Sequence, residues 1–352
     1  MKKMIFTLFA AVAGMLSTFA QDDCIATLNH GTTLTTYTGE DALAQAYNAA
    51  ADGDVITLSP GVFVAVETMK KAITLRGAGY KPMASNGYAS TQITGTIHVD
   101  IPSVETATFQ MEGIDFLHSV YIVSDKKLPV VLTKNKFRDG VWCHGINLKA
   151  THCVFYRLYA NQYGPYNGSS IYRSTTLNCQ NCVIGWAECS GLSDNNMNKI
   201  IATNCIVGHY RSNSNNGLNY GVLNNCIVIG LYGILPESCT AHGCIGLLSN
   251  STTNVFANIV DPSNVMVSGT GETAYAAVFK TLRSVQGPSL YETFELTDAA
   301  KTTYLGEDGT QVGIYGGTLP FDPTPTYPRL VKCNVAGKSA QEGTLSVELK
   351  IE

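Results

Sequence analysis

The chain is 352 residues long, 45% hydrophobic and only 14% charged, with a formal net charge of −4. Average soluble domains carry about 25% charged residues, so here Asn, Ser, Thr, Gly and Tyr must form much of the polar surface. The acidic balance excludes nucleic acid as a partner, because that class needs a basic stripe.

The first element is a secretory leader. Lys2 and Lys3 precede a short apolar stretch from Met4 to Leu16, and Thr18-Phe19-Ala20 offers small residues for cleavage. Residues 1–20 therefore read as a signal peptide, and the protein as exported to the periplasm, the outer surface or the medium. That run falls short of the ~20 apolar residues of a membrane span, and no other segment qualifies. Within an N-terminal segment, 21–53, Thr38 to Ala51 reads as a helix. Leu43, Ala46, Tyr47 and Ala50 share one face, Thr38 and Asp41 resemble a capping box, and Gly53 suits a left-handed C-terminal position. This helix is expected to cap the open end of the strands that follow.

Asp54–Leu58, Val62–Val64, Lys71–Gly77 and Ile93–Val99 read as strands. A phrase then recurs: Asn181-Cys182-Val183-Ile184, Asn204-Cys205-Ile206-Val207 and Asn225-Cys226-Ile227-Val228. Weaker copies are Asn135-Lys136-Phe137, His152-Cys153-Val154-Phe155 and Gly243-Cys244-Ile245, and Asp115 extends the series upstream. With origins at 136, 153, 182, 205, 226 and 244, the steps are 17, 29, 23, 21 and 18 residues. A period near 20 with β-branched residues at each recurrence marks an all-β solenoid, here a parallel β-helix over 54–320 with room for ~10 coils. Pro320, Pro323, Pro325 and Pro328 exclude regular structure, and Leu345, Val347, Leu349 and Ile351 alternate. Residues 321–352 thus read as a Pro-rich linker and a strand tail, packing along the shaft or over its far end.

All 11 cysteines lie beyond the leader. Equivalent cysteines on adjacent rungs would sit ~4.8 Å apart, beyond the ~3.5–4.5 Å Cβ spacing of a disulfide. Cys153, Cys182, Cys205, Cys226 and Cys244 are therefore expected to form a buried thiol stack of small hydrophobes. Cys179 and Cys182 form a single CxxC, a weaker metal or redox alternative. No metal and no cofactor is expected. Asn135, Asn181, Asn204 and Asn225 read as structural turn residues.

The segments "DGDVITLSPGVF", "KAITLRGAGY" and "TQITGTIHV" resemble the opening of right-handed parallel β-helix proteins of the pectin-lyase-like class. "DGTQVGIYGGTLPFDP" resembles a segment of uncharacterised secreted bacterial β-helix proteins. The resemblance covers roughly Gly39 to Pro323 and implies the fold and its hand. It does not imply one activity, since such folds carry lyases, hydrolases, esterases, adhesins and passive scaffolds.

The signatures of those enzymes are mostly missing. Asp115, Asp125, Asp139, Glu188, Asp194 and Glu237 show no spacing that would stack three acids around calcium, and no paired aspartates accompany Cys143-His144-Gly145. Counted from the repeat origins, Arg157, Trp186 and His209 stand four residues on, and Trp142, Tyr159, Glu188, Arg211 and Tyr232 six. Equal offsets stack, so these eight residues are expected to form an exposed band suited to a polysaccharide or another extended ligand. Flat rings would pack on sugar faces while Arg and Glu bond hydroxyls or carboxylates. Tyr156, Tyr163, Tyr166, Tyr172 and Arg173 would wall it. The plain alternative is that these rings only cover core edges. Two other functions fit: a lyase for uronate-containing glycan, with His209, Tyr210 and Arg211 as base and charge neutralisers, or a structural, adhesin-like surface protein.

Overall fold

The computed structural model describes residues 24–81, 90–102, 108–160, 174–189, 198–209, 218–230, 234–248, 254–284 and 292–326, with only the backbone for 125, 126, 209, 330–335 and 347–351. The expected leader lies outside the described residues. The chain is an all-β parallel solenoid of about 8 turns, and 22 of its strands belong to one continuous sheet. The turns are fewer than the ten or so expected because connections between strands take up much of the chain.

Pairing follows three parallel files. The first runs from Val55–Leu58 through Thr74–Arg76 and Phe109–Glu112 to Thr240–His242. The second runs from Gly61–Val64 to Val265–Met266. The third begins at Thr68–Met69 and Ile97–Asp100 and passes through the long strands Val120–Thr133 and Lys136–Thr151. Expected strand positions recur, except that Ile93–Val99 divides into Thr91–Thr94 and Ile97–Asp100. Gly95, at φ +103°, turns the corner between them.

Strands β1 (Ile25–His30) and β2 (Thr33–Thr38) form a hairpin, and β1 adds antiparallel to the first rung strand, β3 (Val55–Leu58). Helix α1 (Ala42–Ala49) is shorter than the sequence suggests, because Thr38 ends β2 opposite Ile25. The expected capping box does not form; Asp41 holds the N-cap position without a side-chain bond. Ala42, Leu43, Ala46 and Tyr47 are buried. The Tyr47 hydroxyl accepts the backbone N–H of Lys70 and Lys71 at 2.5 and 3.2 Å, fixing the helix to the first coil.

The corner between the first and second files repeats one backbone device. Gly113, Lys134, His152, Asn181, Asn204, Asn225 and Gly243 all have φ between 50 and 69°. Gly and Asn adopt this left-handed conformation at least cost. The next residue in each copy points inward. At Asn135, Cys182, Cys205, Cys226, Cys244 and Asn264 the inward side chain accepts the backbone N–H of the equivalent residue one rung back. Ile114 N–H donates to Asn135 Oδ1 (3.0 Å), Cys153 N–H to Cys182 Sγ (3.4 Å), Cys182 N–H to Cys205 Sγ (3.4 Å) and Cys205 N–H to Cys226 Sγ (3.4 Å). Cys226 N–H donates to Cys244 Sγ (3.3 Å) and Cys244 N–H to Asn264 Oδ1 (3.0 Å). The same side chains donate onward: Asn135 to Met111 O, Cys153 to Leu132 O, Cys226 to Ala202 O and Asn264 to Ala241 O. The thiols are thus hydrogen-bonding members of a ladder from Cys153 to the amide of Asn264, with Asn135 making the same contact to Ile114 one rung earlier, rather than merely small hydrophobes. Asn135 stands in this inward file beside Cys153, so its equivalence with Asn181 is off by one residue. All ten cysteines with described side chains are free and buried, and burial raises the Cys182, Cys205 and Cys226 thiols well above the usual range.

The second file is covered on both faces from Val154 to Ile245. Phe116, Phe137 and Phe155 stack inside at 4.8 and 5.0 Å and continue into Ile184, Val207 and Val228. Outside, Val154, Val183, Ile206, Ile227 and Ile245 pack beneath the C-terminal arm. The arm supplies α2 (Glu272–Val278), α3 (Asp298–Thr303), Val312, Ile314 and Phe321. From Gly306 to Thr326 it runs as an irregular strap back along the left-handed corner. Glu307 N–H donates to Asn225 Oδ1 (2.9 Å), and Asn181 Nδ2 donates to Ile314 O and Gly316 O (2.8 and 2.9 Å). Gly317 lies against Asn204, where an added Cβ would come within 2.1 Å of Nδ2. His152 Nε2 meets Leu319 O at 3.2 Å, Lys134 pairs with Asp322 at 3.2 Å, and Thr326 N–H reaches Glu112 Oε1 at 3.2 Å. Leu330–Val335 and Val347–Ile351 pair antiparallel in a separate two-stranded sheet.

His152 makes the strap pH-sensitive. Burial holds its pKa below the ordinary histidine value, and Lys134 reinforces this against the opposing Leu319 carbonyl and Asp322. The released strap would leave His152 to bind a proton near ~6.5. The strapped state is therefore fully favoured above that value and loses stability as pH falls through it towards the depressed value. Proteolysis at 312–321 should quicken between pH 7 and 5 and lose most of this dependence in His152→Asn, which keeps a residue suited to left-handed backbone. An identical pH profile in the variant would remove His152 from the account.

Candidate functional site

The outer face of the third file carries most of the expected band. Thr68, His98, Tyr121, Trp142, Tyr159 and Glu188 occupy equivalent places on successive rungs. Ring centroids are 4.8 Å apart for His98–Tyr121, 4.7 Å for Tyr121–Trp142 and 5.0 Å for Trp142–Tyr159, with planes within 8, 17 and 14°. The rung repeat itself sets this spacing. From His98 to Glu188 the band spans about 19 Å at ~4.8 Å per rung.

A second column runs beside it. Gly140 pairs with Arg157, which faces Trp186 with its guanidinium carbon 5.0 Å from the indole centroid and 4.9 Å from the Tyr156 ring. Gly140 is required here because the Trp142 ring folds across it; an added Cβ would lie 2.2 Å from Cη2. Arg157 also bonds the Tyr156 hydroxyl at 3.5 Å and interacts with Tyr159. Burial raises the Tyr159 phenol, against the pull of Arg157 and with help from Glu188 and Asp139. Burial likewise raises Glu188 above the usual carboxyl value, with Arg157 opposing. Asp139 accepts from the Ser119 hydroxyl at 2.6 Å.

Five expected residues, Trp142, Arg157, Tyr159, Trp186 and Glu188, therefore lie together. One expected feature changes: the stacked rings cover one another's faces, so the ladder presents ring edges, not flat platforms. His98, Tyr121, Trp142, Trp186, Arg157, Glu188 and Asp139 are half-buried, and Tyr159 is buried. His209 falls in register with Ala187, one place past Trp186, because the register shifts between Ile184 and Ala187. Arg211 and Tyr232 lie outside the described residues, as do Tyr210 and the wall residues Tyr163, Tyr166, Tyr172 and Arg173. The offset count places Trp142 correctly for a compensated reason. Lys136 pairs with Val154 rather than Cys153, and a register irregularity between Phe137 and Gly140 restores the phase.

Sequence reasoning missed His98, Tyr121 and Asp139. His98 precedes every origin, so no offset reaches it; Tyr121 stands six residues past Asp115, an origin from which the offsets were not counted. It also missed a charged cluster on the outer second file. Asp115 is fully buried and receives the Arg138 guanidinium at 2.5 Å, Gln92 lies at 3.4 Å, and burial lowers the neighbouring Lys136 ammonium to about 8. Among the described residues no three His, Cys, Asp or Glu side chains are grouped to hold a metal ion, and no helix is long and apolar enough to cross a membrane. No family model matches the chain, and no curated protein or solved structure matches it significantly.

Gly140→Ala tests the ladder. The added methyl must expel an indole clamped between Tyr121 and Tyr159, which should lower stability by ~1–3 kcal/mol. The near-UV circular dichroism of the stacked rings should fall with it. A variant with wild-type stability and spectrum would contradict the stacking.

Proposed function

We propose that this is an exported β-helix protein that binds a polysaccharide or another extended surface ligand along the third file without turning it over. The observation that supports it is the alignment of Trp142, Tyr159 and Glu188 on successive rungs, beside Arg157 and Trp186. A straight row of polar side chains at a repeat of about 4.8 Å, with Trp142 and Glu188 partly exposed on either side of the buried Tyr159, suits a linear ligand that offers hydroxyls at regular intervals. On this reading recognition is through hydrogen bonds from ring edges, with ring stacking serving to hold those edges rigid. We read the winding as right-handed and pectin-lyase-like from its opening residues, residues 1–20 as the export signal, and α1 as the lid over the first coil.

Affinity electrophoresis in neutral and acidic polysaccharides tests the proposal. Tyr159→Phe, Arg157→Ala and Glu188→Gln should each weaken retention by ~5–10-fold, the effect of losing roughly one hydrogen bond at ~1 kcal/mol or slightly more. Retention unchanged in all three would remove the band. Formation of unsaturated sugar product by the wild-type protein would replace binding with the lyase alternative.

A further inference from the structure

Among the described residues the solenoid's N-terminal end finishes in a strand paired on one edge only. β2 pairs with β1, which in turn pairs with β3, so β2 is the outermost strand, and among the described residues its other edge has no strand partner. Proteins usually blunt such an edge with charge, proline, a bulge or a covering element. β2 reads Thr33-Leu34-Thr35-Thr36-Tyr37-Thr38: it carries no charge, Pro or Gly, and its six-residue register with β1 is unbroken. All its residues are exposed except the half-buried Tyr37, and Leu34 is 69% exposed. The far end is treated differently, since α2 and Phe279 pack beside Ile245 and Leu247.

We propose that β2 is an interaction surface for a second copy of this chain, the two β2 strands pairing antiparallel across a two-fold axis. A strand edge offers unpaired backbone donors and acceptors, and a two-fold related copy satisfies both sets at once. An uncharged Thr-rich strand suits self-pairing, because Thr–Thr neighbours bond across strands and no like charges meet. Side chains facing one another must lie on the same face of the sheet, so the axis passes through either Thr35 or Thr36. In the first register Thr33 faces Tyr37 and Leu34 faces Thr36; in the second Leu34 faces Thr38 and Thr35 faces Tyr37. Either register extends the sheet from one shaft into the other, end to end. The short strand gives a small interface, so the dimer is weak and forms with increasing concentration.

Sedimentation velocity on the purified protein, from ~1 to ~200 µM, tests this, because a small interface places association in the micromolar range. The expected result is a monomer–dimer shift, with β2 amides gaining protection from exchange at high concentration. Thr35→Lys and Thr36→Lys each set like charges opposite one another in one register. One of them should therefore weaken dimerisation at least ~10-fold, and the double variant should abolish it with the melting temperature unchanged. A protein that stays monomeric throughout, or a dimer unaffected by the double variant, would overturn the proposal.

Discussion

The structure depends on a polar contact inside an apolar core. Where each coil turns from the first file to the second, a backbone N–H points along the shaft axis and meets no backbone carbonyl. Left unpaired in a dry interior, such a group would cost ~1–3 kcal/mol per rung. A short inward side chain accepts that N–H, as amide at Asn135 and Asn264 and as thiol at Cys182, Cys205, Cys226 and Cys244. Cysteine combines the size of a small hydrophobe with weak donor and acceptor capacity. Valine would fill the same slot and satisfy neither neighbour.

Each letter of the recurring phrase then has its own task. In Asn181-Cys182-Val183-Ile184, the Asn takes left-handed backbone and bonds the strap, and the Cys turns inward to the ladder. Val183 lies under the C-terminal arm, and Ile184 enters the core. A strand buried on both faces reads as a continuous apolar run rather than an alternation, and here the strap is what buries the second face. The first file keeps the alternation, with Leu177 and Cys179 inside and Asn178 exposed. The third file is left to carry the stacked rings and charges. One sheet is thereby divided into a solvated face, a strapped face and a face of stacked rings and charges.

Much of this was legible in the sequence, and the exceptions have physical causes. The solenoid, the buried thiols and five band residues follow from one period, since stacked rungs convert equal offsets into neighbours. The strap was not legible. It touches each rung through single carbonyls, amides and close-packed glycines such as Gly317, and such contacts leave no periodic trace. The Asp115–Arg138 pair joins residues that only the winding brings together. The turn phase slipped by one residue at Asn135 because amide and thiol do the same work there, so residue type misled the alignment. The edge-on presentation of the rings could not be seen either, because an offset says which side chains are neighbours and not which way their planes face.

The central claim, that side-chain sulfur completes the backbone pairing of the interior corner, is tested most directly by hydrogen exchange resolved at single amides. The N–H groups of Cys153, Cys182, Cys205 and Cys226 should exchange only through global unfolding, as slowly as amides within the parallel files such as Ile206 and Ile227. Exchange of these four on the timescale of exposed loop amides, in protein whose strand amides remain protected, would contradict the ladder.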